Sequence, residues 1–161
     1  MEEAARGKKH VDVSVARRMM APPEQVAAIM FEAAREPEWM RAVAAAGWYD
    51  AEIRPGVKAW QRGRFLGKDI SWTTEVTGYA PDSLLAMRIE GGPFRGTVTY
   101  TLTTAAGGCE VTIRNEGEPM VFAWMPKRLL TAAMRTAMSK DLDRLASLVS
   151  SRQVANRASV G

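Results

Sequence analysis

The chain has 161 residues, which is enough for one domain with a substantial core and too few for two full domains. Hydrophobic residues make up 47% and charged residues 25%, a balance that excludes wholesale disorder. The net charge is +4, but the basic residues are spread along the chain, so nucleic acid is not an expected partner.

Two single residues restrict the possible chemistry. His10 is the only histidine and Cys109 is the only cysteine, so an intrachain disulfide and a multi-cysteine metal site are impossible. A histidine base or metal ligand in the core is also excluded, and we predict neither a metal nor a cofactor. The N-terminus lacks an apolar signal segment, and no run approaches the roughly 18 apolar residues of a membrane span. A cytoplasmic protein without a membrane span is therefore expected.

The first third of the chain predicts an arm, a strand and two short helices. Residues 1–10 are polar and without periodicity, which is typical of a flexible arm. Val11, Val13 and Val15 then alternate with smaller or polar residues and predict a strand that ends near residue 20. The proline pair at 22–23 opens a helix that runs to about residue 34, and Pro37 ends it and begins a second short helix through residue 46.

The middle of the chain predicts six strands joined by tight turns. Glycine and proline signals separate them, and alternation is clearest where Val98, Tyr100 and Leu102 face opposite a series of threonines. Such short connections cannot join parallel neighbours, so the strands form an antiparallel meander. The predicted strands are 48–53, 57–66, 70–79, 84–89, 96–104 and 109–118.

The C-terminal part predicts one long amphipathic helix over residues 123–151, because apolar residues recur there at intervals of one, three or four. Such a helix is roughly 40 Å long and can cover a whole sheet. Residues 152–161 lack this pattern and are predicted to form a flexible tail. We therefore predict an α+β domain over residues 11–151, in which the first strand closes the sheet beside the last one.

Several short segments also resemble a known family. The order of elements, the Pro-x-Trp at 37–39 and the segment EVTGYAP at 75–81 resemble the START-like (SRPBCC) superfamily, and within it the polyketide cyclase/dehydrase and lipid-transport group. GGPF at 91–94 and GGCEVT at 107–112 are similar too, although many relatives have Thr where this chain has Cys109. The resemblance implies a helix-grip fold, in which a curved seven-stranded antiparallel sheet wraps the long C-terminal helix, with two short helices after strand 1. It also implies a deep cavity between sheet and helix for lipids, sterols, polyketides or other apolar ligands.

The candidate ligand-binding residues are aromatic, thioether and small polar side chains on elements that would surround this cavity. Aromatic rings and methionines adapt to irregular apolar ligands, and inward-facing amide or hydroxyl groups can orient a ligand oxygen. The apolar side chains could instead fill the core, and the polar ones could form hydrogen bonds with neighbouring groups. The candidates are Trp39, Trp72, Thr74, Met87, Tyr100, Asn115, Met120, Trp124, Met134 and Met138.

Three functions are compatible with the sequence. The first is binding of an apolar small molecule that is polyketide-, lipid- or aromatic-like. The second is a cofactor-independent polyketide aromatase/cyclase or dehydratase that uses the same cavity, with Tyr100 and Asn115 as candidate catalytic residues. The third is a protein-interaction module with a filled core. Cys109 is interpreted as a small buried side chain, and both a monomer and a homodimer are compatible with the sequence.

Overall fold

In the computed structural model, residues 9–65 and 67–160 are described, so most of the predicted arm and the predicted strand end at Leu66 lie outside the described residues. The described residues form an α+β fold in which seven antiparallel strands curve around a long C-terminal helix. The strands are β1 Val11–Met19, β2 Val43–Trp48, β3 Lys58–Phe65, β4 Lys68–Ala80, β5 Leu84–Glu90, β6 Phe94–Ala105 and β7 Gly108–Pro119. The helices are α1 Pro23–Met30, α2 Glu36–Trp39 and α3 Lys127–Ala158, with a 3-10 turn at Ala33–Arg35.

The sheet has the strand order β1-β7-β6-β5-β4-β3-β2. Strands β2 to β7 are sequence neighbours, as the tight turns predict, and β1 pairs antiparallel with β7 from Val11 opposite Gly117 to Met19 opposite Cys109. The predicted closure of the sheet by the first strand is therefore confirmed. The strand alternation separates a buried face from an exposed face that carries ion pairs such as Arg114 with Asp12 (2.6 Å).

The predicted second short helix forms, but it is much shorter than the predicted range 37–46. Only one helical turn forms, at Glu36–Trp39, and the alanine-rich segment that follows is the edge strand β2. Val43 and Ala46 are buried there, and the segment pairs with β3. Alanine has the highest helix propensity, but propensity is a weak determinant of structure, and pairing with a neighbouring strand overrides it. The predicted strand 48–53 is accordingly shifted toward the N-terminus.

Helix α3 covers the concave face of the sheet and differs at both ends from its prediction. It begins at Lys127 rather than near 123, because Pro126 is its N-cap, and it continues to Ala158, beyond the predicted end at 151. Its buried residues include Leu142, Leu145 and Val149, which join Val13 and Val15 of β1 in one core. None of the helices in the described part of the chain is long and apolar enough to cross a lipid bilayer.

Candidate functional site

A pocket of about 270 Å³ lies between the sheet and α3, and we call it the main pocket. Strands β3 to β7 form its floor, the first half of α3 forms its roof, and α2 closes one end. Met87 and Val98 line it from the sheet, and Met134 and Met138 line it from α3. Its position between sheet and helix is the one that the fold resemblance implies.

The structure brings eight of the ten predicted ligand-binding residues to the wall of the main pocket. They are Trp39, Trp72, Thr74, Met87, Tyr100, Asn115, Met134 and Met138. The other two, Met120 and Trp124, are not among the lining residues and are 51% and 78% exposed. Both lie in the connection between β7 and α3, which the sequence assigned partly to the helix and which instead turns outward.

The connection between β7 and α3 forms one rim of the main pocket. Val121 and Phe122 line the pocket from this connection. Phe122 has a φ of 59°, a left-handed conformation that residues other than glycine rarely adopt, and its ring meets that of Trp124 edge-on at 6.2 Å. Of this pair, Phe122 lines the pocket and Trp124 is exposed.

A polar cluster lies at the α2 end of the main pocket. The Glu36 side chain is buried, with 6% of the residue exposed, and burial raises the pKa of its carboxyl group to about 8, although a hydrogen bond from Gln61 lowers it. Gln61 Nε2 also donates to Thr74 Oγ1 at 3.1 Å. Glu36, Gln61 and Thr74 therefore form a chain of buried polar groups across α2, β3 and β4, with a carboxyl group that is largely neutral at pH 7.

Two aromatic residues stand next to this cluster. The rings of Trp39 and Tyr100 meet edge-on at 5.9 Å, and the Tyr100 hydroxyl has a long contact of 3.9 Å with Met40 Sδ. Burial, together with the negative charges of Glu36 and Asp141, raises the pKa of the Tyr100 phenol well above its ordinary value. Tyr100 is therefore a neutral hydroxyl group that can donate a hydrogen bond to a ligand.

Asp141 brings a second carboxyl group to the main pocket from α3. Burial raises its pKa, but the Arg144 guanidinium at 3.1 Å and the backbone N–H of Arg41 at 3.3 Å oppose that change by stabilising the carboxylate. The two carboxyl groups of the pocket thus have different surroundings, because Asp141 has a cation beside it.

Three buried polar atoms of pocket-lining residues have no hydrogen-bond partner among the described residues. They are Trp39 Nε1, Gln61 Oε1 and Asn115 Oδ1. The Asn115 amide nitrogen makes only a weak contact with Met138 Sδ at 3.7 Å. Since buried polar groups are normally satisfied, these atoms are natural contacts for the polar part of a ligand.

Sequence reasoning missed Glu36 and Asp141, although signals for both were present. Glu36 precedes Trp39 by three residues, a spacing that places both side chains on the same side of one helical turn. Asp141 follows Met138 by three and Met134 by seven, so it lies on the same helix face as the two methionines. Charged residues are rarely buried, so these spacings alone do not predict a carboxyl group in a pocket.

The described residues offer neither a metal-binding cluster nor an activated thiol. Within the described part of the chain, no group of three or more histidine, cysteine, aspartate or glutamate side chains could hold a metal ion. Cys109 is buried in the core, and burial raises the pKa of its thiol, which disfavours a nucleophilic thiolate.

Comparisons with solved structures show the same fold. The di-domain ARO/CYC StfQ from the steffimycin biosynthetic pathway matches with a TM-score of 0.74 and 12% identity, over 94% of this chain and 54% of that protein. TTHA0849 from Thermus thermophilus matches with a TM-score of 0.72 and 17% identity, over 88% and 99%. CV1439 from Chromobacterium violaceum matches with a TM-score of 0.65 and 19% identity, over 86% and 96%. Among curated proteins, none matches the sequence.

The family of the chain follows from its sequence. The profile of the family described as polyketide cyclase/dehydrase and lipid transport matches residues 10–150, which include all seven strands of the described sheet and most of α3. The matched structures share with this chain the sheet that encloses a long helix. The chain belongs to the polyketide cyclase/dehydrase and lipid transport family.

Proposed function

We propose that the protein binds an apolar small molecule with a few polar groups in the main pocket. The observation that carries this proposal is the uneven composition of the pocket wall. Aromatic, methionine and aliphatic side chains line most of it, and the buried polar groups Glu36, Gln61 and Thr74 lie together at the α2 end. Ligand pockets have this composition, since the apolar wall supplies affinity and a few polar groups fix orientation.

The family and the rim of the pocket support this proposal. The family description includes lipid transport as well as cyclases and dehydrases, and all of these functions involve largely apolar molecules. Phe122 and Val121 offer an apolar rim through which such a molecule could pass. An interaction module with a filled core, the third function that the sequence left open, is disfavoured by a pocket of about 270 Å³.

Filling the pocket should weaken ligand binding. Met134 lines the pocket from α3, so Met134→Trp would place an indole where the ligand lies, and we expect affinity to fall at least about tenfold. Binding is measured by fluorescence titration of a panel of naphthalene- and anthracene-based compounds against purified protein. Ala133→Trp, at the adjacent exposed position, places the same side chain outside the main pocket and should retain affinity. Unchanged binding in Met134→Trp would contradict the proposed site.

A second candidate function is catalysis by a polyketide aromatase/cyclase or dehydratase. One observation favours it, because Glu36 is a titratable group on the pocket wall whose raised pKa, about 8, suits a general acid near neutral pH. In that case Tyr100→Ala and Asn115→Ala should lower kcat for a polyketide-like chain much more than they raise KM. If these variants weaken binding without a larger fall in kcat, the result favours the binding function.

A further inference from the structure

The charged groups of the main pocket are of one sign. Glu36 and Asp141 line it, whereas no lysine, arginine or histidine is found among the described residues that do so. Asp141 has its ion pair with Arg144 at 3.1 Å, but Glu36 has no ion-pair partner in the described chain. A carboxyl group that is buried without a cation is costly in its charged form, and a cation from outside would compensate it.

The unsatisfied hydrogen-bonding groups of the pocket are mainly acceptors. Gln61 Oε1 and Asn115 Oδ1 can only accept, whereas Trp39 Nε1 is the one donor in this set. The amide nitrogen of Gln61 is already engaged with Thr74. Together with the Glu36 carboxyl oxygens, the two amide oxygens favour a ligand that brings N–H or O–H donors.

Aromatic rings line the main pocket together with Glu36. Trp39 and Tyr100 stand edge-on to each other at 5.9 Å and both line the pocket, as does Trp72 on β4. The faces of indole and phenol rings attract cations, most strongly where water is excluded. An anionic ligand such as a fatty-acid carboxylate would instead meet two carboxyl groups and no cation.

We propose that the main pocket binds a protonated amine on an apolar, ring-containing body, with the ammonium group placed between Glu36 and the rings of Trp39 and Tyr100. This inference rests on the proposed function and narrows its ligand class. The apolar body would occupy the part of the pocket lined by Met87, Val98 and Met134.

The proposal predicts a defined pH dependence. Without ligand, burial holds the pKa of Glu36 at about 8, so the group carries a proton at pH 7. An ammonium ion favours the carboxylate, so binding below pH 8 expels that proton, and affinity rises as the pH approaches 8. Affinity then falls above about pH 10, where an alkylamine itself loses its charge.

The other charged groups around Glu36 do not reverse this dependence. From β6, Tyr100 is neutral throughout the range because its pKa is raised. From α3, Asp141 is paired with Arg144, whose guanidinium also donates to the Trp39 carbonyl oxygen at 3.2 Å. Within α2, Glu38 lies at the surface and is paired with Arg35 at 2.6 Å.

A matched set of three ligands tests the proposal. They are 2-(2-naphthyl)ethylamine, 2-(2-naphthyl)ethanol and 2-naphthylacetate, which share a ring system and differ in charge. By calorimetry at pH 8, we expect the amine to bind at least about tenfold more tightly than the alcohol, and the acetate to bind most weakly. At pH 6.5, titrations in buffers of different ionisation enthalpy should show release of about one proton per amine bound.

Two variants decide the role of Glu36. Glu36→Gln keeps the size of the side chain and should remove both the amine preference and the proton release, while binding of the alcohol persists. Glu38→Gln, on the exposed side of the same helix, should behave like the wild type. Equal affinity for amine and alcohol in the wild type, or an amine preference that survives Glu36→Gln, would overturn the inference and leave the proposed function intact. Failure of all three compounds to bind would count against both.

Discussion

Replacing Glu36 with glutamine is expected to raise the free energy of unfolding at pH 7 by about 3 kcal/mol. In the folded protein, burial raises the pKa of Glu36 to about 8, whereas its ordinary value is 4.5. At a pH between these values, Glu36 is ionised in the unfolded chain but protonated in the folded chain. Each pH unit above 4.5 therefore lowers the free energy of unfolding by about 1.4 kcal/mol. Glutamine removes this cost and can retain the contact with Gln61.

The stabilisation by Glu36→Gln depends on pH. Below pH 4.5 Glu36 is protonated in both states, so the stability difference between variant and wild type is smallest there. The difference grows as the pH rises to 8, and it is constant above that value. Urea denaturation at pH 4.5, 6, 7 and 8.5 measures it, with Glu38→Gln as the exposed control. A difference that does not change with pH would show that Glu36 ionises normally in the folded state.

Truncating Leu145 to alanine is expected to lower the free energy of unfolding by about 2 to 5 kcal/mol. Leu145 has no exposed surface and lies in the core that joins α3 to the sheet. Its removal loses the buried methyl groups and leaves a cavity that the closely packed middle of the helix cannot easily close.

A surface leucine on the same helix provides the control for Leu145→Ala. Leu129 is 61% exposed, so Leu129→Ala should change stability by no more than about 0.5 kcal/mol. Urea denaturation of both variants measures the contrast. Equal stability of the two variants would mean that the middle of α3 does not pack against the sheet as the structure describes.

The sheet and the long helix could be predicted because their patterns are long and regular. In β6 and β7 the alternation of Val98 and Tyr100, and of Val111 and Ile113, extends over many residues between glycine turns. Strand parity also predicted that Asn115 and Thr74 face inward, and both line the main pocket. Period-two and helical patterns report directly which face is buried, so they predict elements and orientation together.

Short elements and isolated charges could not be predicted in the same way. Val43 to Trp48 has an alanine-rich composition that favours helix, and its strand depends on hydrogen bonds to β3 that no local pattern reports. Glu36 contradicts the general exposure of glutamate, and Gln61, which hydrogen-bonds to it, is distant in sequence. The Glu36 carboxyl group, the most distinctive group of the candidate site, therefore could not be predicted from the sequence.

The pairing of the first strand with the last one has a consequence for synthesis of the chain. Strand β1 pairs with β7, which leaves the ribosome about a hundred residues later. At a translation speed of about 5–20 residues per second, β1 remains without its partner strand for roughly 5 to 20 s. Throughout that interval its valines, Val11, Val13 and Val15, belong to an unpaired nascent segment that chaperones can bind. A ribosome stalled before Gly108 would therefore present β1 as an open strand edge.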